Sequence, residues 1–262
     1  MKILIAITIM TCLASFSSEA SNNDDWQFEV TPYIWGVAQN GDTGARNVKG
    51  SGIDLIAELD MSTSDIFKNL DSGFLLNASA KNDKWLLFID TIYMKIGLDK
   101  SGDGITGIGN NKVDVTAREQ LVDLVAGYKV YKTKNTELYL YAGMRYADVK
   151  TTINADFTPL GIPELNLTKQ IKVGDTWVDP LIGAYSNWQA SKNLALITRL
   201  EVGGFGVASD NSWLIAIGLN QTLNKNWSLK YSYRYLAIDY DDNDFVFDVD
   251  SNGLLIGATY SF

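Results

Sequence analysis

The stretch IDYDDNDFVFDVD carries six aspartates between Asp239 and Asp250, and clustered carboxylates are what a hard cation such as Ca²⁺ or Mg²⁺ takes as ligands. Asp239, Asp241 and Asn243 stand at the first three ligand positions of a calcium loop, and Asp250 stands at the twelfth. That loop needs glycine at its sixth position for a sharp turn and usually glutamate at its twelfth. Here the sixth residue is Asp244, and the segment reads as the tip of a hairpin, which rules out the helix–loop–helix form. Two readings stay open: a looser Ca²⁺ or Mg²⁺ site, or a solvated acidic loop. No other cofactor is expected.

Acid–base and nucleophilic chemistry has little to work with. The chain has no histidine, and its one cysteine is Cys12, so a Ser-His-Asp relay is impossible. Histidine is also the most usual acid–base group. A mechanism built on carboxylates or lysine alone finds no spacing here that singles it out, and an enzyme is not expected.

A third set of charges lies opposite large apolar residues in strand-like segments. If Trp26 and Phe28 face one way, Glu29 faces the other, and Trp85, Leu87 and Ile89 oppose Asp90 in the same way. Arg145 shares a face with Tyr139 and Tyr141, and Arg234 with Lys230 and Ser232. Arg199 and Glu201 lie opposite Leu196 and Leu200, and Asp179 lies opposite Val178 and Ile182. If the apolar faces meet lipid, these charges point inward, because a lipid-facing charge near mid-membrane costs about 2–4 kcal/mol. They would then form either the lining of a selective channel or an arginine–carboxylate network that plugs a narrow lumen.

The elements that would hold such residues are short strands. MKILIAITIMTCLASFSSEA has a basic start, an apolar run and small residues before Ala20, the pattern of a secretory signal peptide over residues 1–20. Residues 21–262 then form one domain. The chain's formal charge of −9 argues against a nucleic-acid partner, which needs a basic face. Strand-like segments are joined alternately by short polar turns, such as KNDK, KTKNT, QASKN and NKN, and by long polar or glycine-rich stretches. Short turns at one end and long loops at the other describe an all-β, up-and-down antiparallel transmembrane β-barrel. Ten strands are expected, with eight or twelve as the neighbouring even numbers. The insert at residues 50–70 decides between ten and twelve: IDLIAEL reads either as part of a loop or as a paired strand, and STSDIFKNLD opens with helix-capping residues.

Tryptophan placement chooses lipid over a protein core. Trp85 follows KNDK, Trp188 precedes QASKN, Trp227 follows NKN and Trp26 begins the first strand. Indoles gathered at the short-turn end suit a membrane–water boundary, whereas a soluble β-sandwich buries its tryptophan in mid-strand. The longest apolar run after the leader, Trp213–Leu219, is too short to span as a helix. A closed barrel is the other way to satisfy every backbone group in hydrocarbon. The closing segment GLLIGATYSF places Phe262, Tyr260, Ala258, Ile256 and Leu254 on one face, ready to pair with the first strand and meet lipid.

WQFEVTPYIW, SDIFKNLD, WLLFIDTIYMKI, VGGFGVASDNSW and the segment from WSLKYSYRYLAIDY to the C-terminal Phe262 together resemble a family of Gram-negative outer-membrane β-barrel proteins without an assigned biochemical role. The resemblance covers nearly all of the chain after the leader. It implies location in the bacterial outer membrane, with outer-membrane lipids, lipopolysaccharide and the outer-membrane assembly machinery as partners, and it carries over no catalytic residue. The functional expectation is at most a narrow passive pore for small solutes. The alternative is a non-conducting surface-interaction or envelope-stabilising barrel whose acidic loops bind cations or lipopolysaccharide.

Overall fold

Side chains of the turn residues close the short connections. Asn82 Oδ1 accepts from the backbone N–H of Lys84 at 2.8 Å and of Trp85 at 2.6 Å, and Asn224 Oδ1 accepts from Asn226 and Trp227, each at 3.0 Å. Asn and Thr favour such turns because a short side chain can stand in for a backbone acceptor. Each turn thereby fixes the tryptophan that starts the next strand at the rim.

The computed structural model describes residues 26–46, 54–103, 110–158, 167–242 and 244–262. The leader at 1–20, the start of the insert at 50–53 and Asn243 lie outside the described residues. In chain order the elements are β1 (Gln27–Ala45), β2 (Leu55–Met61), α1 (Thr63–Asn69), β3 (Leu70–Lys81), β4 (Trp85–Asp103), β5 (Asn110–Lys132) and β6 (Thr136–Thr158). They continue with β7 (Leu167–Ser191), β8 (Leu194–Gly203), β9 (Asn211–Thr222), β10 (Trp227–Asp241) and β11 (Phe245–Ser261). From β3 to β11 each strand pairs antiparallel with the next, β1 pairs with β3, and β11 returns to β1. Ten strands thus close the cylinder. At the closure Phe28 and Phe262 exchange backbone hydrogen bonds and stack their rings at 5.9 Å.

The insert combines the courses expected of it: the barrel closes with ten strands and the short helix forms, yet a further strand pairs as well. IDLIAEL contributes an eleventh strand, β2, which pairs with the outer part of β1 from Gln39↔Met61 to Ala45↔Leu55 and with no second strand among the described residues. The lower part of β1 pairs with β3 only from Gln27↔Lys81 to Pro32↔Leu76. Residues 33–38 of β1 therefore have no strand partner on that side among the described residues, and α1 lies against this interval. Thr63 Oγ1 donates to the Gly36 carbonyl at 3.0 Å. A methyl group on Gly36 would sit 3.4 Å from Thr63 Cγ2, in van der Waals contact with the helix. Ser62 and Asp65 cap the helix reciprocally, Ile66 is buried among lumen residues such as Trp35 and Ile92, and Phe67 is exposed on the outside.

Strand alternation separates two surfaces. Along β1, Thr31, Tyr33, Trp35, Val37 and Gln39 are buried in the lumen while Ile34 is 64% exposed. The outside carries a band of exposed Leu, Ile, Val and aromatic side chains, among them Leu87, Leu124, Leu140, Ile182, Ile217 and Leu254. Trp85, Trp188 and Trp227 mark its short-turn edge and Trp213 its far edge. An apolar exterior around a closed sheet is the surface a bilayer requires.

Much of what reads as long loops is strand. β5, β6 and β7 run for 23, 23 and 25 residues, whereas about 9–11 tilted residues cross the hydrocarbon. Polar stretches such as KVDVTARE still alternate, so the ladder continues beyond the band and pairs backbone groups that water would otherwise solvate.

Candidate functional site

Three arginines and three carboxylates fill the lumen in one layer, all of them buried. Arg145 on β6 grips Asp123 of β5 through Nε at 2.7 Å and Nη2 at 2.9 Å, and reaches Glu201 of β8 at 2.8 Å. Arg199 on β8 donates at 2.7 Å to each of Glu201, Asp90 of β4 and Asp123. Arg234 on β10 donates to Asp90 at 2.8 Å and to the Tyr33 hydroxyl at 3.1 Å. Tyr33 in turn donates to Asp90 at 2.8 Å, and Tyr141 donates to Glu201 at 2.9 Å. The layer is neutral, and bidentate guanidinium–carboxylate pairs are the geometry in which buried charges are tolerated. Rings pack on the cations as well: the Arg199 guanidinium carbon lies 4.7 Å from the Phe88 centroid.

Register explains the meeting. Asp90, Asp123, Arg145 and Asp179 are successive cross-strand neighbours from β4 to β7. Asp90, Arg145, Arg199, Glu201 and Arg234, singled out from alternation, join in this layer. Tyr141, placed on the face of Arg145, joins them, and Asp123 and Tyr33, which were not singled out, complete the layer. Alternation applied to LVDLVAG, with Leu124 outward, carries the signal for Asp123.

Glu29 and Asp179 lie elsewhere. Glu29 is at the short-turn mouth, bonded to Lys81 at 3.2 Å and Lys230 at 3.3 Å, beside a cavity of about 80 Å³ that Asn77, Ser79, Tyr185 and Asn187 also line. Asp179 sits on the other side of the layer. Its oxygens accept from the Ser209 backbone at 2.8 Å, from the Ser209 hydroxyl, and from Trp177 Nε1 at 3.0 Å. Above the layer the lumen is an apolar core that includes Trp35, Val37, Ile92, Leu121, Leu236 and Val249. There Trp177 and Tyr240 stack with centroids 4.0 Å apart.

Glu119 is a buried carboxyl outside the apolar band, flanked on the outer face by polar Arg118 and Gln120. It accepts from Gln39, whose Nε2 donates to it at 2.8 Å and also at 3.1 Å to Ser251. Burial raises its pKa above the ordinary carboxylate range, and the Gln39 bond opposes this only in part. The folded chain thus holds this proton to higher pH than the unfolded chain does, and the stabilisation it brings is lost as pH rises through the folded pKa. Glu119→Gln is expected to equal the parent in stability at acidic pH and to exceed it at neutral pH. Urea unfolding of the two proteins in micelles across that range checks the crossover.

The acidic stretch is spread over two strands. Asp239 and Asp241 lie on β10 and Asp250 on β11. Asp239 accepts from Asn211 Nδ2 at 3.1 Å, and Asp241 pairs with Arg46. In register, Asp42, Asp248 and Asp239 stand side by side on adjacent strands. Burial and the neighbouring charges of Asp239, Asp250 and Asp42 raise the Asp248 pKa. Among the described residues no group of three or more potential ligands forms a metal site.

Residues 80–262 match the family described as "Protein of unknown function, DUF481". No curated protein matches the chain. The outer membrane protease OmpT of Escherichia coli shares the fold with a TM-score of 0.58 at 11% identity, over 94% of this chain and 100% of that one. The translocator domain of the autotransporter NalP from Neisseria meningitidis gives 0.41 at 12% identity, over 99% and 97%. Ail, the attachment invasion locus protein of Yersinia pestis, gives 0.35 at 11% identity, over 92% and 100%. At 11% identity the likeness to OmpT is one of fold.

Proposed function

We propose that this chain, which belongs to the DUF481 family and folds as an outer-membrane β-barrel, is a closed barrel that conducts no solute and works through the strands it extends beyond the membrane. The layer of Arg145, Arg199 and Arg234 against Asp90, Asp123 and Glu201 carries this reading. Its arginines bond the three carboxylates and Tyr33, with Arg234 Nε left buried and without a partner among the described residues, and the apolar core stacked above it offers a hydrated ion no replacement for its water. A barrel of ten strands is near the size at which side chains fill the interior. The absence of histidine and the pairing of the lumen carboxylates with arginine favour a role without catalysis. Contact with the cell's surroundings or with the envelope is then the work left to strands β4–β7.

Planar-bilayer recording tests this. The purified barrel is expected to insert silently, while Arg199→Ser/Glu201→Ser, which removes two buried side chains from the layer, leaks measurably. Discrete steps from the unaltered protein would instead establish the narrow pore.

A further inference from the structure

We propose that the tip of the connection between β8 and β9, Phe205 to Val207, is seated among the acyl chains of the outer leaflet and anchors this side of the barrel to lipid. The wall is low here. β8 and β9 have 10 and 12 residues, whereas β5, β6 and β7 rise well beyond the band. Val202 and Trp213 are register partners, exposed on the outside at the far edge of the apolar band. The connection therefore starts where the lipid surface ends and continues it.

The backbone forces the tip outward. Gly204, Phe205 and Gly206 take φ values of 83°, 55° and 68° in succession, and Phe205 is the one non-glycine residue with positive φ among the described residues. A bulky side chain in that region is an outlier that persists only where its surroundings impose it. The restraint comes from both limbs. Gly204 N donates to the Pro180 carbonyl at 3.1 Å and Asp210 N to the Asp239 carbonyl at 2.9 Å. Ser209 is fully buried with its N–H and hydroxyl on Asp179, and Ala208 packs against the lumen core. With the inner limb fixed in this way, Phe205 and Val207 stand 53% and 68% exposed. A methyl group on Gly206 would meet nothing within 4 Å. Held in water, two large apolar side chains on a pinned turn would gain nothing. Beside Val202 and Trp213 they extend the apolar band, and an aromatic at the interface is favoured there.

Site-directed spin labelling decides the point, because Cys12 is the one cysteine of the chain. The full chain with Cys12→Ser and Val207→Cys is labelled and refolded into phosphatidylethanolamine/phosphatidylglycerol vesicles. Phe205→Cys serves as a second site, and a heat-dependent gel shift confirms folding of each. The label is expected to collide with oxygen several-fold more than with a water-soluble nickel chelate, as at the lipid-facing reference Ile217→Cys. A nickel-dominated signal, as at the turn reference Lys134→Cys, overturns the proposal, since the tip would stand in water. Protection from both reagents overturns it as well, since the tip would be covered by protein.

Discussion

Arg145→Met is expected to lose about 3–5 kcal/mol of folding stability, the range for removing one partner of a buried ion pair. The guanidinium satisfies both oxygens of Asp123 and one of Glu201, and methionine, though similar in length, supplies no donor. Arg199 also bonds both carboxylates, but one arginine cannot balance them while holding Asp90. The layer would then carry an excess negative charge largely shielded from bulk water, with Arg199 bordering the cavity at the mouth. Asp123→Asn in the same background restores neutrality and is expected to recover part of the loss, so the two changes should not add. Urea titration of the refolded proteins in micelles, analysed as a double-mutant cycle, gives both quantities. A loss below about 1 kcal/mol, the usual worth of an exposed pair, would mean that water reaches the layer, and the closed-lumen reading would fall with it.

Ile256→Arg addresses the opposite surface and is expected to lose about 2–4 kcal/mol, as an arginine on the lipid face near the midplane does. Ile256 is 56% exposed and lies in register between Ile34 and Tyr231, all three on the outside. On a soluble protein, a charge at such a position would be neutral or would raise solubility. Tyr260→Arg, on the same face at the short-turn rim, is the control, because the cost near the interface falls to about 0–1 kcal/mol. Stability measured in lipid vesicles should therefore depend on depth. Equal effects at the two positions would remove the case for a lipid-facing exterior.

How far the sequence could carry these conclusions depends on which symmetry each feature follows. Strand alternation has a period of two, so it sorts inside from outside but says nothing of height along the axis. It separated the face of Glu29 from that of Phe28 and the face of Asp179 from that of Val178. Register shows that Glu29 belongs to the mouth, and only the side-chain bonds show that Asp179, though opposite Arg145 in register, serves Ser209 instead. The short turns were readable because asparagine and threonine close them locally, and with them the rim positions of Trp85 and Trp227. The reach of β4–β7 was not, because a polar alternating stretch outside the membrane has the composition of a loop. β2 was unreadable for a further reason: whether IDLIAEL pairs on one side or two depends on where β1 and β3 part company.

That parting has a mechanical meaning. Elsewhere around the cylinder, neighbouring staves are zipped along their contact, so separating them at any height means breaking ladder rungs. Between residues 33 and 38 of β1 there are none to break on one side among the described residues, and a single seven-residue helix stands in the gap. Swinging that plug outward would exchange the Thr63–Gly36 bond and the burial of Ile66 for an opening between the hydrocarbon and the apolar upper lumen. Among the described residues, an opening of the wall at this latitude and longitude would break no rung.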